Sequence, residues 1–468
     1  MRPVICWFRQ DLRLADNPAL AAAQADGSPI VALFVLDDET PGIWRAGGAS
    51  RWWLHHSLQS LGDSLEEIGG SLVLRRGRAE SVVCGLADEM GAKAVVWNRA
   101  YEPYAIERDK RLKAALLARG IGAESFGGSL LREPWEVRTA AGTPFKVFTP
   151  YWRAGFAQWQ PSPPLPAPTS LRSAIAAIES ESLADWNLTP SNPDWSGGLR
   201  TAWHPGEPSA QFQLSGFLAR LSEYAGSRDA PAAAATSRLS PHLHFGEISP
   251  RQIWHAVSSQ PPSSSAEKFL SEIGWREFSH HLLFYNPQLP HAPLDPKFAA
   301  FPWSSDAEKF VRWTRGRTGF PIVDAGMREL WATGWMHNRV RMIAASFLVK
   351  QLGVDWRRGA EWFWDTLVDA DLANNSASWQ WVAGCGTDAA PFFRIFNPVL
   401  QGEKFDPHGA YVRRWVPELQ LMPDEFIHKP WTAPSELRKG AKSYPEPIVD
   451  LAAARARALE AYRSLSAP

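Results

Sequence analysis

Short apolar runs alternate with longer amphipathic stretches over the first quarter of the chain. Val4–Phe8, Ile30–Leu36, Leu72–Leu74 and Ala94–Trp97 are compact and rich in β-branched and aromatic residues. Between them Asn17–Ala25, Ser50–Ile68, Ala79–Met90 and Ile106–Arg119 carry Ala and Leu at helical spacing. Strands separated by helices return parallel to one another, so the pattern predicts a doubly wound parallel sheet over residues 1–131. Ligands of such sheets lie at the carboxyl ends of the strands, which points to the loops after Phe8, Leu36 and Trp97. No GxGxxG or GxxxxGK[ST] is present, so Rossmann and P-loop nucleotide binding have no support.

The periodicity dissolves between residues 132 and 200. QPSPPLPAP at Gln160–Pro168 is too proline-rich for a helix or a central strand, and NLTPSNPDWSGG at Asn187–Gly198 is turn chemistry, so this stretch reads as a connector between two domains. From residue 201 to 468 the spacing is helical. Ala210–Tyr224, Pro250–Val257, Ser264–Phe284, Ala307–Arg315, Ile322–Thr333, Met336–Leu352, Arg358–Leu367 and Asp450–Leu465 are the stronger segments, and they predict an all-α domain.

A length of 468 residues suits two cores better than one. The 49 basic and 49 acidic side chains cancel, so any nucleic-acid binding must come from a local patch. Cys6, Cys84 and Cys385 are far apart and form no zinc or disulfide spacing, which fits a reducing compartment. No apolar run reaches the eighteen or so residues that cross a bilayer. A soluble, cytoplasmic, monomeric protein without a metal site is the expectation.

The chemistry concentrates in Gly319–Pro398, where Trp331, Trp335, Trp356, Trp362, Trp364, Trp379 and Trp381 stand among arginines, amides and carboxylates. A purely structural helical core would use Leu, Ile and Val, which carry no N–H in need of a partner. Asn338, Arg341 and Met342 share one helical face. Thr236, Ser237 and Ser240, with Arg238 and Leu239 in the same loop, suit a phosphate at a helix mouth, and equally an N-cap. Glu272, Trp275 and Arg276 offer a carboxylate, an aromatic plate and a guanidinium on one face, or else an ion pair beside a core Trp. Asp369 and Asp371 have no histidine near them in sequence, so pairing of an Asp with Arg341 is favoured over acid–base work. Trp379 and Trp381, two apart, cannot share a helical face.

TSRLSPHLHFGEISPRQ, the WREF at Trp275, GRTGFPIVDAGMRELWATGWMHNRVRM, DADLANNSASWQW, DAAPFFRIFNPVLQGEKFDP and the early CWFRQDLRLADNPAL together resemble the photolyase/cryptochrome family across the whole chain. The resemblance implies an N-terminal α/β antenna domain, a linker and an all-helical domain that holds FAD. It assigns Tyr224, Thr236, Ser237, Arg238, Leu239 and Ser240 to the FAD phosphates, and Trp335, Arg341, Asp369 and Asp371 to its surroundings, with Arg341 and Asp369 as an ion pair. It places Asn375 at flavin N5, where an amide has no proton to lend. Trp379, Trp356 and Trp303 match the family's electron relay from flavin to surface.

The implied activity is splitting of cyclobutane pyrimidine dimers in UV-damaged DNA by an electron from excited, reduced FAD. Glu272, Trp275, Asn338, Met342 and Trp381 would line the pocket for the flipped-out dimer, and Arg228, Arg276, Arg339, Arg394 and Lys404 would contact phosphates. Asn338 stands where the enzymes that repair (6-4) photoproducts carry His. SPHLHFGEIS, GMRELWATGW and FWDTLVDADL are similar to plant cryptochromes and to the bacterial, class III-like photolyases nearest them. A blue-light photoreceptor and a DASH-type single-strand photolyase are therefore the alternatives. GGASRWWLHHSL is similar to the branch associated with a methenyltetrahydrofolate antenna, with 8-hydroxy-5-deazaflavin as the other choice. A bacterial cytoplasmic protein that meets the nucleoid through its DNA is implied.

Overall fold

The computed structural model describes residues 1–465 except 158, 174–177, 390, 391 and 393, so part of the DAAPFF motif lies outside the described residues. Its first layer is a five-stranded parallel sheet in the order β3-β2-β1-β4-β5. The strands are β1 Val4–Phe8, β2 Ile30–Leu36, β3 Leu72–Arg76, β4 Ala94–Asn98 and β5 Gly122–Phe126. Val4 stands opposite both Ile30 and Ala94, which fixes the register at the centre. Alternation along β1 divides the core: Val4, Cys6 and Phe8 pack with Trp52, Trp53 and Leu58 on one face, Ile5 and Trp7 with Val83, Leu112 and Leu116 on the other. β5 escapes the sequence reading because GAESF has no apolar run and lies half-exposed at the sheet edge.

Two of the three loops named as candidate ligand sites are filled by protein. After β1, Asp11 accepts from Asn98 Nδ2 at 2.6 Å, Arg9 pairs with Asp109 at 2.7 Å, and Leu12 N donates to Phe245 O at 3.0 Å. The approach to the helical layer is so close that a Cβ on Gly246, at φ +66, would lie 2.1 Å from Gln10 O. Trp53 adds a buried tie, donating from Nε1 to Glu247 Oε1 at 2.9 Å. The loop after β2 borders a cavity of about 530 Å³, lined by Trp44, Arg45, Arg51, Glu361 and Trp364.

The connector is more ordered than its prolines suggest. It holds a helix at Phe148–Gly155, a 3-10 turn at Leu183–Trp186 and a helix at Gly197–Ala202. Tyr151 and Phe156 bury against Trp254 and Phe278, while Leu165 and Arg172 return carbonyls to Asp16 N and Ile30 N of the sheet layer. The remainder is helical around a core that includes Trp313, Phe320, Val340, Phe347, Trp356 and Trp379. The single helix expected at Met336–Leu352 is divided. His337 caps Asn338–Ser346, and Phe347–Gln351 widens into a π-helical turn. Leu372–Ala383, which its polar NNSAS start hid, is the central helix and packs on Ser264–Tyr285, Asn338–Ser346 and Trp356–Thr366. Among the described residues no helix is long and apolar enough to cross a membrane.

Candidate functional site

The site is built around the entry to the Leu372–Ala383 helix. Asp371 caps it, accepting from Asn374 N at 2.7 Å and from Asn374 Nδ2 at 2.8 Å. Asp369, only 4% exposed, accepts from Arg341 Nη2 at 2.8 and 3.1 Å and from Ser240 Oγ at 2.6 Å. Arg341 is held from behind by Met336 O, 2.7 Å from its Nε. The Ser240 hydroxyl is thus spent on Asp369, and the short helix Ser240–His244 starts at Leu239 with no side-chain cap. The plain N-cap reading of TSRLS is left with one long contact, Leu239 N to Ser237 Oγ at 3.4 Å, which lies before the helix.

Arg238 adopts φ +54, and its guanidinium lies 4.1 Å from the Trp203 ring and 5.1 Å from Trp335. Ser237 O accepts from Gln213 Nε2 at 2.8 Å, which pins the loop. Thr236 stands half-buried beside it, and Tyr224 is buried against Phe217 and Phe269. Asn375 is buried too. Its Nδ2 donates to Ala360 O at 3.0 Å, which leaves Oδ1 without a partner among the described residues.

Two histidines that sequence proximity missed flank Asp371. His280 Nε2 lies 3.4 Å and His244 Nδ1 3.9 Å from its Oδ2. Burial alone would raise the Asp371 carboxyl, but His280 and His244 hold it well below the usual value of 3.8. Burial alone would lower His280, but Asp371 holds it above 6.5. The His280 contribution to stability is full below 6.5 and is lost as pH rises through its folded value; the Asp371 contribution is full above 3.8 and is lost as pH falls through its own. The pair therefore stabilises most between those values. Urea midpoints should fall from about pH 6 to about pH 8.5, and Asp371→Asn should flatten that fall. An unchanged slope in the variant would remove the pair from the account. Among the described residues no cluster of three metal-ligating side chains forms.

A chain of alternating charge forms the rim. Glu272 Oε1 accepts from Arg228 and from Lys268, the latter at 3.1 Å, and Oε2 has no partner among the described residues. Asp229, next to Arg228, pairs with Arg339 at 2.8 Å, and Arg339 lies 4.4 Å over the Phe405 ring and 3.9 Å from Met342 Sδ. Arg228 and Arg339, expected at phosphates, are thus already neutralised by carboxylates. Arg276 is corrected outright: its side chain is 12% exposed and donates to Ser129 O at 2.8 Å beside buried Glu277, so it turns into the protein. Arg394, Lys404 and Asn338 are exposed, and the two cations have no carboxylate partner among the described residues. Trp275 is stacked on Phe148 of the connector, with centroids 3.8 Å apart and planes 12° apart, so one of its faces is already covered. Trp381 is partly buried on the opposite side of its helix from buried Trp379.

Trp303, Trp356 and Trp379 are drawn together by backbone pairing and one glycine. Ser304 forms a parallel bridge with Val354, which sets the Trp303 segment beside the start of the Trp356–Thr366 helix. One turn along that helix, a Cβ on Gly359 would lie 2.2 Å from Trp379 Cη2, so the ring fills the space that glycine leaves. Trp379 and Trp356 are both buried, at 2% and 1% exposed, and only the outer Trp303 is half-exposed.

A parallel α/β layer is thus joined to a helical body with an Arg–Asp pair, hydroxyls and a buried amide at its centre. Residues 4–169 match the family described as DNA photolyase, and residues 269–464 match the FAD binding domain of DNA photolyase. The chain is 51% identical over 472 residues to the deoxyribodipyrimidine photo-lyase of Agrobacterium fabrum, covering 99% of this chain and 98% of that one. It is 42% identical over 479 residues to cryptochrome-1 of Arabidopsis thaliana, covering 98% and 70%. A crystal structure of a bacterial class III photolyase from Agrobacterium tumefaciens matches with a TM-score of 0.96 at 50% identity, over 100% of this chain and 98% of that one. The chain belongs to the photolyase/cryptochrome family. The residues present fit FAD: the open Oδ1 of Asn375 at the centre of the site is a polar atom in want of a ligand.

Proposed function

We infer that this chain is a deoxyribodipyrimidine photolyase that splits cyclobutane pyrimidine dimers in light. The observation that carries the reading is the rim: Glu272 presents an open Oε2 beside Trp275, while Arg228 holds its other oxygen. That oxygen is oriented by protein and free to hydrogen-bond a pyrimidine edge. Burial of the Arg228 guanidinium is outweighed by its hydrogen bond to Glu272, which raises the Arg228 pKa. When bound and reduced, FAD supplies one electron on excitation. The protein would supply position: Arg341, Asp369 and Ser240 would hold the flavin, and Asn375 would meet it with an amide that has no proton to lend. Trp275 and Trp381 stack the flipped dimer, and Asn338 and Met342 border it. Arg394 and Lys404 meet the phosphates, with Arg228 and Arg339 as the inner ring. Trp379, Trp356 and Trp303 conduct electrons inward from the surface.

Trp275→Ala should weaken binding to dimer-containing DNA by about 1–3 kcal/mol while FAD stays bound, since one stacked base loses its platform. Titration of labelled duplex measures it, and unchanged affinity would take Trp275 out of the pocket. The antenna is assigned to methenyltetrahydrofolate in the cavity after β2. Trp44 and Trp364 meet edge to face, with centroids 5.4 Å apart at 82°, so a pterin would lie against this pair, and exposed Arg45, which has no carboxylate partner among the described residues, suits a glutamate tail. The photoreceptor reading draws on the similarity to cryptochrome-1. Illumination of the reduced protein with damaged DNA separates the two, because a receptor without repair chemistry leaves the dimers intact.

A further inference from the structure

Beside the outer end of the tryptophan series lies a second cavity, of about 440 Å³, within the range of small-ligand sites. Phe301, Pro302 and Ser304 form one wall, so its lining brackets Trp303 in sequence, and the Phe301 ring lies 4.2 Å from the Trp303 ring. The π-helical turn ending at Gln351 forms the floor, and the last helix, Leu451–Ser464, closes the far side with Ala454, Ala458 and Ala461.

The lining charges are unbalanced. Lys309, Lys350 and Arg457 stand against Asp450 alone, and the Asp450 carboxylate is engaged in accepting Ala453 N at 2.7 Å. Lys309 is paired with Asp306 at 2.8 Å, but Arg457 is exposed with no carboxylate partner among the described residues. Lys350 is 2% exposed, and its partners among the described residues are the Phe392 carbonyl at 3.0 Å and the Phe392 ring at 4.4 Å. Burial brings its ammonium down to about 8, against a small opposing effect of Cys385, and an incoming anion would favour the charged form. Gln351 adds a buried Oε1 to which no group among the described residues donates. The wall is apolar, the charge positive, and one acceptor is unfilled.

We propose, resting on the relay reading above, that this cavity docks a small hydroxylated anion of the enediolate class, which returns the electron that light draws from Trp303. In the step, the enediolate monoanion gives one electron to the Trp303 indole radical cation. The indole becomes neutral again, and the oxidised enediol releases its hydroxyl proton to water to become a radical anion. Arg457 and Lys350 attract the anion, Gln351 accepts its hydroxyl, and Phe301 holds it beside the indole.

Ascorbate serves as the probe, with a neutral hydroquinone as control, and laser flash photolysis of the FAD-loaded protein follows decay of the tryptophan radical. Arg457→Glu should slow the ascorbate reaction by about tenfold at low salt, with the deficit shrinking as salt rises, and leave the hydroquinone reaction unchanged. In the dark, fluorine NMR of 5-fluorotryptophan protein should show the Trp303 resonance, assigned by its loss in Trp303→Phe, shifting with ascorbate in the wild type and not in Arg457→Glu. Equal ascorbate rates in the two proteins, or no shift in either, would overturn the docking site. Trp303→Phe keeps the two readings apart. Photoreduction that survives it overturns the relay, whereas photoreduction lost in Trp303→Phe with Arg457→Glu silent overturns only the cavity.

Discussion

Trp379→Phe is expected to leave the protein folded and FAD-loaded, able to repair dimers once the flavin is reduced chemically, and unable to reduce oxidised FAD in light. The indole sits in a space made for it, against Gly359 on one side and 5.0 Å from the Phe363 ring on another. A phenyl ring keeps most of the apolar burial, so the cost in stability is modest. What it removes is an oxidisable ring between the central helix and Trp356, and benzene rings do not give up electrons as indoles do. Blue illumination with an external reductant, followed at the flavin absorption bands, measures the loss. Repair by the dithionite-reduced variant measures what is kept. Photoreduction at the wild-type rate, or loss of repair after chemical reduction, would refute the assigned role.

Asp369→Ala should have the second large effect, on flavin retention. It strands Arg341 beside the Met336 carbonyl and deprives the Ser240 hydroxyl of its acceptor. Removing one partner of such an enclosed pair costs about 3–5 kcal/mol, chiefly because the remaining charge loses its counterion. Asp369→Asn retains an acceptor for Ser240 and should fall between the two. The flavin-to-protein ratio after gel filtration and the melting temperature of the stripped protein report on both. A variant that keeps its flavin and its melting temperature would show that the pair is incidental to the site.

The sheet was legible in the sequence wherever its strands are buried on both faces, because such strands must be apolar throughout; β5 and the exposed end of β3 carry no such demand. The helical body was legible from spacing, except where function interrupts it. Leu372–Ala383 is capped by Asp371 and begins with the polar run Asn374–Ser376, so its start reads as loop. Individual guanidinium groups were visible but their partners were not. Nothing in the order of residues says that Arg276 turns to Ser129, that Arg339 meets Asp229, or that His244 and His280 converge on Asp371. Those pairings depend on which helices cross. Gly359 is a similar case: its role appears only when Trp379 is seen above it.

Light-dependent recovery of pyrimidine absorbance tests the central claim most directly. The purified protein is reduced under anaerobic conditions, mixed with DNA carrying cyclobutane dimers, and illuminated at near-UV and blue wavelengths. Absorbance should recover with light dose, stay flat in the dark, and recover far less with Glu272→Ala at matched flavin content. No recovery by the wild-type protein with its FAD fully bound and reduced would contradict it.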